Sequence, residues 1–260
     1  MPRKININGD LGESFGRFQV GNDSALMESI GSANIACGFH GGDPNTMHQA
    51  ISIALSRGVS VGAHPGFNDL WGFGRREIKM SVADVERFVT YQIGAFDAMA
   101  RSVDAAMTHV KPHGALMIMA AKDYELALAI GRAVKAFNKD LIYVGFAKTE
   151  VERAAKKLDL PFAMEVYVDR IYDDDGALAP RSVPNALITE PERAVDHVLC
   201  MLNEGALISR SGQRLKTDIH TLCVHGDEPS APAVAKAVKA ALQKAGLEVV
   251  PLTEMLSSFR

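Results

Sequence analysis

Seven side chains able to move protons, hold anions or ligate a metal fall at one kind of place in this 260-residue chain. Asp10, His40, His64, Lys111, His113, Glu165 and His225 lie at or near the ends of short strand-like segments, most of them beside Gly or Pro. A carboxylate among imidazoles and an ammonium can take a proton from water, stabilise developing negative charge or bind a divalent cation. One strand-end histidine is usually structural. Four of the eight, converging with Asp10, Lys111 and Glu165, would be costly to bury together without a functional return. The other four differ in setting: the pattern places His48 and His197 within helices as surface or packing residues, and His109 and His220 earlier in strands.

The densest stretch is residues 33–44, ANIACGFHGGDP. Its first part reads as a buried strand, and Gly38, Gly41 and Gly42 allow a sharp turn with close backbone approach. Asp43-Pro44 is a helix-start signal, with Asp as N-cap and Pro at the first helical position, so a helix is expected over 45–57. His40 and Asp43 therefore occupy a strand-to-helix loop, the edge at which parallel α/β folds place their chemistry.

The elements needed to position these groups follow from periodicity. Strands are expected at 4–8, 34–37, 59–63, 108–111, 141–144, 162–166 and 221–224, with a late one at 248–250. A helix begins at Ser81, with Asp84 in the capping position and Val85, Phe88, Val89, Ile93 and Phe96 at helical spacing; another begins at Thr189 with Glu192. Seven or eight alternations predict one domain over 1–260, an α/β fold of (β/α) barrel type with seven or so strands. The rhythm breaks over 166–188, where an Asp-Asp-Asp-Gly turn suggests a hairpin covering one barrel mouth. Read at period two, one strand face carries Asn6, Asn8 and Asp10, and others carry His109 with Lys111, or Thr221, Cys223 and His225. A purely aliphatic lumen would not read this way, so the lumen is expected to be polar.

Net charge of −3 and a pI near 6.2 give no basic stripe for nucleic acid. The N-terminus lacks the apolar core of a signal peptide and no run suits a membrane span, which predicts a cytoplasmic protein. Cys37, Cys200 and Cys223, without CxxC spacing, are expected as reduced thiols in the core.

The strings NGDLGESFG, ANIACGFHGGDP, VGAHPGFNDLWGFGRR, VKPHGAL, EVYVDRIY with the later Arg181, and CVHGD, in that order along the chain, resemble the LamB/YcsF family. That family supplies the A subunit of the ATP-dependent bacterial 5-oxoprolinase. The resemblance implies a distorted (β/α) TIM-like barrel akin to those of glycoside hydrolases and polysaccharide deacetylases. It also implies ATP-coupled hydrolysis of the 5-oxoproline lactam to L-glutamate, together with companion subunits B and C. The chain has neither G-x-x-x-x-G-K-[ST] nor G-x-G-x-x-G before a helix, so ATP, the co-substrate of the complex, is expected mainly on the partners.

Within that frame, Asp10, Glu13, Lys111, His113 and His225 are candidate catalytic residues, with the general base open among Asp10, Glu13 and a histidine. The candidate substrate- and phosphate-binding set is His40, Asp43, His64, Arg75, Arg76, Glu165, Asp169, Arg170, Arg181 and Asp227. The helix opened by His113-Gly114 offers amides for an anion. Trp71 and Phe73 are loop anchors or partner contacts. Two alternatives remain at this level: a sugar deacetylase with a divalent metal on Asp10, His40 and His64, and a non-catalytic scaffold.

Overall fold

Alternating strand and helix signals resolve into the following order in the computed structural model, which describes residues 3–259. The elements are β1 (Arg3–Leu11), α1 (Asp23–Leu26), β2 (Ser32–Ala36), α2 (Pro44–Ser56), β3 (Ser60–His64), α3 (Val82–Arg101), β4 (Met107–Val110), α4 (Gly114–Ala120), α5 (Tyr124–Phe137) and β5 (Ile142–Phe146). They continue with α6 (Glu150–Leu158), β6 (Phe162–Tyr167), α7 (Pro191–Glu204), β7 (Ala206–Ile208), β8 (Arg214–Lys216), β9 (Thr221–His225), α8 (Ala231–Lys244), β10 (Leu247–Val249) and a terminal 3₁₀ turn, Leu252–Ser258.

Strands β1 to β6 pair in sequence, all parallel, and β9 joins β6 to β1. The result is a closed seven-stranded barrel wrapped by helices. Register brings the chemistry to one end: Asp10 lies opposite both Asn34 and His225, and Ala36 opposite His64. The late strand β10 stays outside the ring and pairs only with the first residues of β1.

Local signals explain the helices. Ser81 Oγ accepts the Asp84 amide, and Val85, Val89, Ile93, Phe96 and Ala100 form the buried stripe of α3. The capping box expected at Thr189 does not form. Helix α7 instead starts with Glu190 as N-cap and Pro191 at the first position, because proline's fixed φ suits that site and Thr189 turns its hydroxyl to the Glu190 carboxylate. Cys200 lies on the exposed side of α7, whereas Cys37 and Cys223 are buried as expected.

The excursion over 166–188 is not a regular hairpin. Isolated antiparallel bridges, Arg170 with Leu187 and Tyr172 with Leu178, hold an irregular loop around the Asp173–Ala177 turn. The regular hairpin comes later, as β7 and β8. No helix among the described residues is long and apolar enough to cross a membrane.

Candidate active site

The barrel interior is a ladder of polar side chains, because alternate residues of each strand point inward. At its base Asn6 donates to Ser32 Oγ (2.9 Å) and accepts from Thr221 Oγ1 (2.6 Å). One layer up, Asn8 donates to Glu165 Oε1 (3.0 Å) and Thr221 Oγ1 (2.7 Å), while Asn34 donates to Asn8 Oδ1 (2.7 Å) and Asp10 Oδ1 (2.9 Å). His109 Nε2 donates to Asn34 Oδ1 at 3.0 Å; its ring fits because Gly62 has no side chain, and a Cβ there would lie 2.3 Å from the imidazole. Burial pushes the His109 pKa down to about 3, so this imidazole is neutral.

Lys111 occupies the centre and is 1% exposed. Its Nζ lies 2.9 Å from Asp10 Oδ1, 2.8 Å from Glu165 Oε1 and 2.9 Å from Cys223 Sγ. Burial opposes its charge, but Asp10, Cys223 and Glu165 more than restore it and hold the pKa well above the usual lysine range. Asp10 shows the mirror image: burial raises its pKa, yet Lys111 and then His64 bring it well below the ordinary carboxylate range. At Glu13 burial, with Asp10 and Asp227 nearby, outweighs the Arg75 guanidinium and pushes the pKa well above that range.

Around this pair stand the other histidines. His64 places Nε2 3.5 Å from Asp10 Oδ2 and 3.0 Å from His113 Nδ1; His40 places Nε2 3.0 Å from Glu13 Oε1. The His40 and His113 rings stack at 3.7 Å. Burial holds both pKa values well below the usual imidazole range, helped at His40 by His64 and at His113 by His40 and His64. Gly74, at φ +63°, lets residues 69–76 close over the stack: a Cβ there would meet His40 at 2.6 Å and His113 at 2.9 Å. Opposite, His225 Nδ1 lies 2.9 Å from Asp169 Oδ2, and its amide also donates to Asp169. Asp169 thus fixes the imidazole orientation, and its own pKa is lowered by His225 against the effect of burial.

These groups open into a cavity of about 410 Å³ lined by Asp10, His64, Lys111, His113, Tyr167, His225 and three guanidinium groups, Arg75, Arg170 and Arg181. Such a cavity suits a small anion-bearing ligand, with its charge met by arginine forks and its reacting atom over Asp10 and Lys111.

Comparison with known proteins supplies the lineage. The LamB/YcsF family model matches residues 5–257. The chain belongs to the LamB/YcsF family. It is 46% identical over 252 residues, 97% of this chain and 98% of its counterpart, to a protein of Azoarcus sp. strain BH72 named as the A subunit of 5-oxoprolinase. A lactam utilization protein from Thermus thermophilus has a solved structure that superposes with a TM-score of 0.89 at 45% identity, covering 95% of this chain and 99% of that one. A peptidoglycan N-acetylglucosamine deacetylase domain from Eubacterium rectale aligns at 9% identity with a TM-score of 0.51, over 96% of this chain and 89% of that one; it shares the fold alone.

This LamB/YcsF site gathers most of the residues singled out in the sequence. Asp10, His64, Lys111, His113, His225, Arg75, Arg170 and Arg181 line the cavity, whereas Glu13, His40, Glu165, Asp169 and Asp227 hold those that do. Asp227 pairs with Arg75 (2.7 Å) and Glu228 with Arg181 (3.0 Å). Two expected binding residues serve the scaffold instead. Arg76 pairs with Asp69 and its side chain is 67% exposed. Asp43 caps α2, accepting from Asn45 and Thr46 amides, and its second oxygen accepts from the Gly16 amide. The amides expected to hold an anion at α4 are engaged too: Ala115 donates to the Gly74 carbonyl and Leu116 to that of His113. Trp71 is 98% exposed, while Phe73 packs its ring edge-on to His113. Asn34, Tyr167 and Asp69 were not among the sequence candidates. Period-two reading of the second strand would have found Asn34; Asp69 and Tyr167 carry no local signal.

Asp43→Ala should lower unfolding stability by about 1 kcal/mol, as for other lost N-caps. Capping amides depress the Asp43 pKa, so its contribution is full above the unfolded carboxylate value of about 3.9 and is lost as pH falls through the folded value. Denaturant midpoints of the two proteins should therefore converge in acid. A gap that persisted at pH 2 would assign the loss to something other than the charged cap.

Proposed function

We propose that this chain is the water-adding subunit of a multi-subunit 5-oxoprolinase, working on a lactam that companion subunits B and C have activated with ATP. What carries the reading is near-full-length similarity to a 5-oxoprolinase A subunit, combined with a buried Asp10–Lys111–Glu165 assembly under an arginine-lined cavity. A lactam resists water because its nitrogen donates into the carbonyl. Phosphoryl transfer to the carbonyl oxygen removes that donation and prepares a leaving group.

In this reading Arg75, Arg170 and Arg181 take the carboxylate and phosphate of the activated ring. Asp10, kept ionised by Lys111, is a weak base, so it orients the attacking water rather than deprotonating it. His225, its Nδ1 held by Asp169, accepts the water's proton. Water oxygen bonds to the ring carbon and the ring C–N bond breaks with a proton to the departing nitrogen, which leaves an acyl phosphate; a second water then adds to that carbonyl and displaces phosphate as the new carboxylate forms. Lys111 and the arginines stabilise negative charge along the way. A scaffold role has no use for so many buried ionisable groups.

The test is reconstitution. The purified chain with ATP and 5-oxoproline should form no glutamate above background, and adding the two companions should restore turnover. Robust ATP-dependent glutamate formation by the single chain would refute the division of labour.

A further inference from the structure

We propose that Glu13, His64 and His113 bind one divalent transition-metal ion of borderline character, such as zinc, with His40 as a positioning residue. Two backbone carbonyls fix the tautomers of His64 and His113. His64 Nδ1 lies 2.6 Å from the Lys111 carbonyl oxygen, and His113 Nε2 lies 2.8 Å from that of Phe73. A carbonyl only accepts, so each of those nitrogens carries its ring's proton. In the neutral rings the lone pairs are then on His64 Nε2 and His113 Nδ1, which face each other at 3.0 Å with both residues buried. Two acceptors so placed repel unless something positive lies between them. Donation of the remote N–H to a carbonyl is how proteins orient and polarise imidazoles that ligate metals.

The third donor is in place. Glu13 Oε1 is 3.4 Å from His113 Nδ1. Donors sharing an ion about 2.0–2.2 Å away at tetrahedral or right angles sit roughly 3.0–3.4 Å apart. The ring planes are compatible as well, because His64 and His113 meet at 86° and both lone pairs can point at one position. His40 is excluded by the same reasoning. Its ring is parallel to that of His113, at 4° and 3.7 Å, so an ion in the plane of one lies outside the plane of the other. His40 instead donates Nε2–H to Glu13 Oε1 at 3.0 Å and holds the carboxylate. The sequence expectation of Asp10, His40 and His64 is thereby replaced, with Asp10 Oδ2 remaining at 3.5 Å from His64 Nε2 as a neighbouring oxygen.

A proton on His64 would also fill the gap, but it fits the charge count less well. Asp10, Glu13 and Glu165 bring three buried carboxylates against the one ammonium of Lys111. With Glu13 ionised, as a metal ligand must be, the formal surplus is two negative charges, which one dication cancels. Two imidazoles and a carboxylate form a donor set suited to zinc and its neighbours.

The site is tested by binding alone, independently of the reaction proposed above. Chelator-stripped, dialysed chain is titrated with zinc by calorimetry, bound metal is counted by elemental analysis, and cobalt(II) is added in parallel for its visible spectrum. One equivalent per chain is expected, with the cobalt bands of a four- or five-coordinate ion. Affinity should fall at least about 100-fold in His113→Asn and Glu13→Gln and about 10- to 100-fold in His40→Gln, with no change in the surface variant His48→Asn. Variants are compared only where their circular dichroism matches the unsubstituted chain, whose stoichiometry and cobalt spectrum test the claim without any substitution. Failure of the unsubstituted chain to bind zinc, or binding undiminished in His113→Asn and Glu13→Gln, would overturn the site and leave a proton on His64 between the rings.

Discussion

Asp10→Asn is expected to lower glutamate formation by the reconstituted complex by about 10²-fold or more, while the companion subunits continue to consume ATP. The substitution keeps the shape of the side chain. Oδ1 can still accept from Asn34 and Lys111. Lys111 also retains Glu165 as counterion at 2.8 Å. The fold should therefore survive, and what is lost is the charge that orients the attacking water. Continued ATP hydrolysis without glutamate separates this outcome from a failure of the subunits to assemble. Near-normal glutamate output from a folded Asp10→Asn complex would remove Asp10 from the reaction.

Lys111→Met should be more damaging, because it strikes stability and activity together. The methionine fills much of the stem's volume but leaves Asp10 and Glu165 buried without their shared cation, a change that costs about 3–5 kcal/mol in comparable buried pairs. Turnover should fall by about 10²- to 10³-fold through loss of the ammonium that stabilises developing negative charge. Adding Glu165→Gln to Lys111→Met removes one orphaned carboxylate. It should recover part of the melting temperature while leaving activity low, which separates the two roles. A Lys111→Met chain as stable as the unsubstituted one would show that Lys111 is not the counterion of the lumen.

Both residues are legible in the sequence for a physical reason. Strand alternation has period two, so Asn6, Asn8 and Asp10 on one face, and His109 and Lys111 on another, announce a polar lumen before any contact is known. The barrel follows from repeated strand–helix alternation, and Asp43-Pro44 and Ser81 mark helix starts because capping is local chemistry. Long-range partners are less legible. Nothing near Arg76 shows that Asp69 will take it, and nothing near His113 shows that the Phe73 carbonyl will fix its tautomer. The excursion over 166–188 departs from the expected hairpin for a related reason: its turn chemistry is local and visible, but whether the flanks pair as a ladder depends on what they cover. Here they cover the cavity with Leu178, Ala179, Pro180 and Arg181. The Thr189 capping box fails because a proline two residues later offers a competing start.

In the proposed reaction the activated lactam is opened over Asp10 and Lys111, inside this chain. A crystal structure of the chain soaked with 5-oxoproline, or with a phosphate-bearing analogue of the activated ring, tests it most directly. The ring carbon is expected over Asp10 and Lys111, within reach of His225, with the anionic groups on Arg75, Arg170 or Arg181. A ligand bound well away from Asp10, Lys111 and His225, with this cavity left to solvent, would contradict the account.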